Sequence, residues 1–382
     1  KNNYMIKFLT KGLIRDRSRS LFPVLIITLI VAIIIFAKGF MTGALNGMFV
    51  DTAVISTGHL KIMTRAYKEE SQLLPNDLAL LETGQLIKEL NSKHPDYFWT
   101  PRITFGGLLD VPDENGETLE QGPTLAFGID FLSPNSRQVE LWELQNRLVE
   151  GRLPEKADEV LLSTKLAKSL ALKPGGNVTF IGSSMYNAFT TYNFIVTGTF
   201  TLNMGALDKQ MMLLDISGAR MALDMEDAAS EILGYSHDLY YDDPASIFLR
   251  DTFNNIHSDS TDFFSPFMLA LRDFNQMGYV IDFTDATMGI IGSIFLAIVM
   301  VVLWNMGLMS GLRRYGEIGM RLAMGESKGQ VYRSMILEAI IIGIVGSTLG
   351  TALGLPLTYY VQNVGLDYSE MMETIGSTNM IL

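Results

Sequence analysis

The sequence predicts an α-helical membrane protein, with three spans present and a large α+β extracytoplasmic domain inserted between the first and second. Three observations predict it. Three long stretches are almost free of charge, two short segments beside them are strongly basic, and residues 51–282 are acidic and mixed in hydrophobic period.

The apolar stretches come first. Charged residues make up 18% of the 382 residues, where soluble domains carry about 25%, and the shortfall is concentrated. Residues 21–37 hold no charge, residues 286–310 hold none, and residues 334–366 hold Glu338 as the one full charge. A helix rises about 1.5 Å per residue, so 25 residues reach roughly 37 Å, enough for a ~30 Å hydrocarbon layer with some tilt. The expected spans are residues 21–50, 283–310 and 333–362. The first run is longer than the apolar core of a signal peptide, and no small-residue cleavage site follows it, so it is read as retained.

The basic segments orient the spans. Residues 1–20 carry Lys1, Lys7, Lys11, Arg15, Arg17 and Arg19 against Asp16 alone. Residues 311–332, between the second and third spans, carry Arg313, Arg314, Arg321 and Lys328, and Arg333 follows. Positive charge stays on the cytoplasmic side. Both clusters therefore place the N-terminus inside and residues 51–282 outside. Residues 1–20 interleave apolar side chains with the basic ones and read as an amphipathic helix on the inner membrane surface. Residues 363–382 end on the outside.

Residues 51–282 hold 17 Lys and Arg against 33 Asp and Glu, which argues against a nucleic-acid partner. No cysteine is present, which excludes disulfides, thiolate metal sites and a thiol nucleophile. Within this domain, periodicity predicts helices over residues 76–91, 163–172, 217–224 and 263–278. Strands are predicted over residues 159–162, 178–181 and 192–200, and residues 110–122 (DVPDENGETLEQG) read as a hairpin connection. Residues 235–262 carry no clear pattern.

Two ladders of small residues stand in the spans: Gly39, Gly43 and Gly47 in the first, and Gly346, Gly350 and Gly354 in the third. Such i, i+4, i+8 stripes let helices approach closely, within one subunit or across a dimer. The chain lacks a GxxxxGK[ST] phosphate loop, a GxSxG elbow and an HExxH motif, and its four histidines are too scattered for a ligand set. No catalytic residues and no metal site are expected.

Residues 311–330 (GLRRYGEIGMRLAMGESKGQ) combine apolar and charged side chains in a short cytoplasmic element trapped between two spans. Here a resemblance becomes specific. RRYGEIGMRLAMG at 313–325, with Leu337-Glu338 in the next helix, resembles the signature of the FtsX/MacB/LolC-E permease superfamily. Glu317, Ile318, Gly319, Arg321 and Gly325 match it, and Leu322 displaces Ala323 by one place. VEGRLP at 149–154, EVLLS at 159–163, LKPG at 172–175, residues 192–200 and NMGALD at 203–208 look like the family's periplasmic core domain. TGHLKI at 57–62 is similar to the lipoprotein-releasing LolC and LolE permeases.

The resemblance implies a four-helix topology, with a fourth span expected beyond Leu382. It implies a non-catalytic permease of a type VII ABC system in the bacterial inner membrane, with its large domain in the periplasm. Two permeases, as a homodimer or heterodimer, would pair with cytoplasmic ATPase subunits. ATP and Mg are expected on those partners and no cofactor on this chain. Arg313, Arg314, Glu317, Ile318, Gly319, Met320, Arg321 and Gly325 are the expected ATPase-coupling residues. The favoured activity is extraction and release of lipoproteins. Met41, Leu45, Met48, Phe49, Phe283, Met288, Ile291 and Phe295 would then line a lipid-accessible substrate cavity. The rival is MacB-like efflux of peptides or small molecules with a periplasmic adaptor. A membrane-anchored sensor without transport is a third reading, and it leaves the 313–325 segment without a purpose.

Overall fold

The computed structural model describes residues 17–113, 116–202, 207–259, 261–274, 276–313 and 315–364. Arg314 and most of the expected leader (residues 1–20) and trailing segment (363–382) lie outside the described residues, as does most of the turn at 203–208. The chain divides into two compact units, one formed by Lys1–Gly47 with Tyr279–Leu382 and one by Met48–Gly278.

The first unit is helical. Helix α1 spans Arg17–Thr52. Three later helices are introduced below in chain order. The stretches Leu21–Thr57, Met277–Met309 and Lys328–Val364 are long and apolar enough to cross a membrane. Few of their residues are buried in the single chain.

The second unit is an α+β domain around a ten-stranded sheet. The strands are β1 (Leu60–Thr64), β2 (Tyr97–Pro112), β3 (Thr118–Ile129), β4 (Leu148–Gly151), β5 (Glu159–Ser163), β6 (Asn177–Ser183), β7 (Phe189–Phe200), β8 (Met211–Asp215), β9 (Glu231–Ser236) and β10 (Pro266–Ala270). Their order is β10-β1-β9-β2-β3-β8-β5-β7-β4, with β6 bridging β2 and β7. Pairs β3–β8 and β5–β7 are parallel. The long β2–β3 hairpin is antiparallel. Helices α2 (Thr83–Lys93), α3 (Thr164–Ser169), α4 (Ile216–Leu223) and α5 (Asp243–His257) cover the sheet. The first turns of α3 and α5 are set by side-chain caps: Ser163 Oγ accepts from the Leu166 amide at 3.2 Å, and Asp242 Oδ1 from the Ala245 amide at 3.0 Å.

The three largest apolar cores among the described residues are as follows. One joins Ile103, Phe105, Phe180 and Phe194 to α3 and α4. A second gathers Phe127, Trp142, Leu144, Phe200 and Tyr235 with Ala53 and Val54. A third packs Leu60, Ile62, Trp99 and Ile232 against α2 and α5.

Two expected helices are corrected. Over 76–91 the helix begins only at Thr83, after a separate 3₁₀ turn at Asn76–Leu78. Over 263–278 there is a strand, β10, and then a 3₁₀ turn at Leu271–Asp273. The five residues of β10 pair antiparallel with β1, from Leu60↔Ala270 to Thr64↔Pro266. That edge pairing outweighs a 3.6-residue pattern too short to nucleate a helix. The unassigned stretch 235–262 ends β9 and then forms α5, with Pro244 in its first turn.

Helix α6 spans Met277–Arg313, α7 spans Tyr315–Ala323 and α8 spans Lys328–Val364. Both long helices overrun the predicted spans of 283–310 and 333–362, because their polar ends continue the helical backbone.

Candidate functional site

The candidate coupling segment is a helix of nine residues, α7, held between α6 and α8 by defined backbone chemistry. The Glu326 amide donates to Arg321 O and the Gly325 amide to Leu322 O, both at 3.1 Å. This is the double closure of a helix C-terminus that places its next residue left-handed. Gly325 is that residue, at φ +92°, which accounts for glycine at this motif position. Helix α8 then starts with a reciprocal cap. The Gln330 amide donates to Ser327 Oγ at 3.3 Å, and the Ser327 amide donates to Gln330 Oε1 at 3.1 Å. The GESKG stretch is therefore a turn between two helices.

No residue of α7 is buried. Tyr315, Met320 and Met324 show 80%, 62% and 75% of their surface, an apolar load that a solvated linker has no reason to carry. Glu317 and Arg321 stand one helical turn apart, so charge and apolar surface share one short helix. Of the expected coupling residues, the structure places Glu317, Ile318, Gly319, Met320 and Arg321 on α7 and Gly325 in its cap. Arg313 is the last residue of α6, and Arg314 lies outside the described residues.

The glycine ladder of α8 faces α1 within this chain. A Cβ on Gly346 would lie 2.8 Å from Ile27 Cβ, one on Gly350 2.7 Å from Val31 Cβ, and one on Gly354 3.1 Å from Ile35 Cβ. Thr28 Oγ1 adds a hydrogen bond to Gly346 O at 3.2 Å. Gly39 abuts Thr358, whereas Gly43 and Gly47 meet nothing within 4 Å among the described residues.

The residues expected to line a substrate cavity divide between the two units. Met41 and Leu45 on α1 and Phe283, Met288, Ile291 and Phe295 on α6 belong to the first. Met48 and Phe49 belong to the second, where the Phe49 ring stands edge-on to Tyr241 at 5.8 Å.

The VEGRLP–EVLLS motif is scaffolding for the sheet. Arg152 donates to both Glu159 oxygens, Nη1 to Oε2 at 2.8 Å and Nη2 to Oε1 at 2.5 Å, and the Glu155 amide donates to Oε2 at 2.7 Å. The Arg152 bond, working against burial, holds the Glu159 carboxyl at about 2. Gly151, at φ +84°, lies where a Cβ would strike the Thr197 carbonyl.

One cluster was not foreseen. Lys61, Arg102 and Glu231 form a buried ion triad, with Lys61 Nζ 2.6 Å and Arg102 Nε 2.5 Å from the two Glu231 oxygens. Burial works to raise the Glu231 carboxyl, and the two cations more than reverse it, so the group lies below the usual carboxylate range. The sequence signal was Lys61 in apolar β1, Arg102 in the apolar first half of β2 and Glu231 at the start of apolar β9.

Residues 289–381 match the family described as FtsX-like permease C-terminal. The chain is 29% identical over 109 residues to the macrolide export ATP-binding/permease protein MacB of Neisseria meningitidis serogroup A, covering 26% of this chain and 17% of that protein. It is 26% identical over 108 residues to MacB 2 of Aeromonas hydrophila, with the same two shares. The chain thus spans less than a fifth of the length of these curated relatives. The periplasmic region of MacB from Actinobacillus actinomycetemcomitans aligns with 59% of this chain and 94% of that one, at 16% identity and a TM-score of 0.38. The α7 motif lies within residues 289–381, the stretch that resembles the FtsX-like permease C-terminal family.

Proposed function

We propose that the chain is the membrane-embedded, non-catalytic permease subunit of an ABC system, and that it converts ATP hydrolysis on a separate cytoplasmic ATPase into movement of its Met48–Gly278 unit outside the inner membrane. The observation that carries this reading is α7, an amphipathic helix with no buried residue, fixed at its C-terminal end by the turn into α8. An ATPase that changes shape on binding ATP and Mg can act on such an element only through contacts that differ between its two states. Tyr315, Met320 and Arg321 offer those contacts, and two permeases would pair around two ATPases.

Arg321→Glu in a reconstituted complex tests the reading. Stimulated ATP hydrolysis should fall at least fivefold while membrane insertion is unchanged; full hydrolysis would remove α7 from the role.

The favoured work is extraction of lipoproteins, supported by the LolC/E-like stretch at 57–62. Efflux with a periplasmic adaptor is the second reading, favoured by relatives named for macrolide export. Mass spectrometry of the purified complex separates them: lipid-modified protein supports the first, and an adaptor with no lipoprotein supports the second.

A further inference from the structure

Helix α1 does not fray where it enters the second unit. It passes into a π-helical turn, Ala53–Thr57, that ends at Gly58 with φ +64°. Helix ends leave carbonyls without partners, and those of this turn are buried at Val54 and partly buried at Ile55 and Ser56. Arg102, on β2, supplies the donors. Its Nη1 donates to Ile55 O at 2.9 Å and to Val54 O at 3.4 Å, and its Nη2 to Ser56 O at 2.6 Å. Its Nε holds Glu231, the residue opposite it on β9. Tyr235 Oη adds a donor to Val54 O at 3.4 Å.

The charges explain why this grip is strong. Lys61 and Arg102 bring two positive charges to one Glu231 carboxylate, and the side chains are 9%, 3% and 5% exposed. The excess cation is buried, and the carbonyl ends of the turn, the negative pole of the helix, face it. Pulling the turn away would strand that charge, so the turn and the sheet hold or move together. Only the planar guanidinium fork reaches the carbonyls and the carboxylate at once; a lysine there would keep the charge and lose the fork.

We propose that Arg102 is the positioning residue that ties the end of α1 to the sheet, so that displacement of the helix is delivered to the domain instead of being absorbed at the joint. This rests on the permease reading. The joint is a π turn, a form frequent at functional sites, and Arg102 braces it.

The test uses the full chain with its ATPase in nanodiscs, with an environment-sensitive fluorophore on a cysteine at Glu140→Cys, in a chain that has no other cysteine. In Arg102→Lys, ATP hydrolysis should stay within twofold of the parent and the unfolding temperature within a few degrees. The ATP-driven fluorescence change should fall at least fivefold. A normal fluorescence change in Arg102→Lys overturns the proposal while leaving the permease reading standing. A parent chain with no ATP-driven change sinks both. Hydrogen exchange on the unmutated complex decides independently of any variant's folding: amides of residues 53–58 should stay protected with and without ATP. A tenfold acceleration on ATP binding would show that the grip opens, and would overturn the proposal.

Discussion

The backbone N–H of Ser236 donates to Nδ1 of His59 at 3.1 Å, which puts the ring proton on Nε2, an atom with no hydrogen-bond partner among the described residues. The ring lies between Tyr235 and Tyr241, at centroid distances of 6.1 and 5.8 Å.

Burial lowers His59 to about 4, with Asp238 opposing weakly. The folded chain therefore takes up this proton only near pH 4, while the unfolded chain takes it up near 6.5. Between those values the unfolded state binds more protons, so stability falls as pH drops from 6.5 to 4, by up to ~3 kcal/mol. Thermal unfolding of the full chain at pH 7, 5.5 and 4.5 measures it. His59→Phe should be less stable at pH 7, since the Ser236 amide loses its acceptor, yet show a shallower decline; parallel declines would refute the assignment.

Arg152 and Glu159 act in a lower window. The Glu159 carboxyl is held at about 2, below its ordinary value of 4.5, so the stabilisation is complete above pH 4.5 and is lost as pH falls through 2. Arg152→Met should be less stable than the parent at pH 7, and the gap should close on acidification. A gap independent of pH would show that the arginine contributes by packing alone.

Length without charge made the three long helices legible, since residues 286–310 run for 25 residues without a charge. The α7 motif was legible because its glycine and its charges sit at fixed spacing. The β2–β3 hairpin was read only at its turn: Pro101, Gly106 and Gly107 interrupt the alternation of a strand that pairs on both edges. The Arg102 cluster was not legible at all. Arg102 and Glu231 are 129 residues apart, and only the β2–β9 register brings them together. Periodicity mistook β10 for a helix because an edge strand of five residues is too short to distinguish the two periods.

The α1–α8 seam makes a contrast between glycines. A Cβ at Gly350 would lie 2.7 Å from Val31 Cβ and 2.8 Å from Thr28 O, whereas one at Gly43 meets nothing within 4 Å. Gly350→Val should destabilise the detergent-solubilised chain by about 1–3 kcal/mol, the range of overpacking, and Gly43→Ala should leave it unchanged or slightly stabilised. Fluorescence-detected thermal aggregation of the two variants compares them; equal stability would contradict the seam.

Opposite sidedness of α7 and the Met48–Gly278 unit is the most direct test of the whole account. The chain has no cysteine, so single cysteines report cleanly with a membrane-impermeant maleimide. Gly319→Cys places the thiol where nothing lies within 4 Å, and Glu140→Cys uses a side chain that is 77% exposed. In sealed inside-out vesicles position 319 should label and position 140 should not, with the reverse in spheroplasts. Labelling of both positions from the same side would contradict the account, since an ATPase in the cytoplasm could not then grip α7 while the domain worked outside.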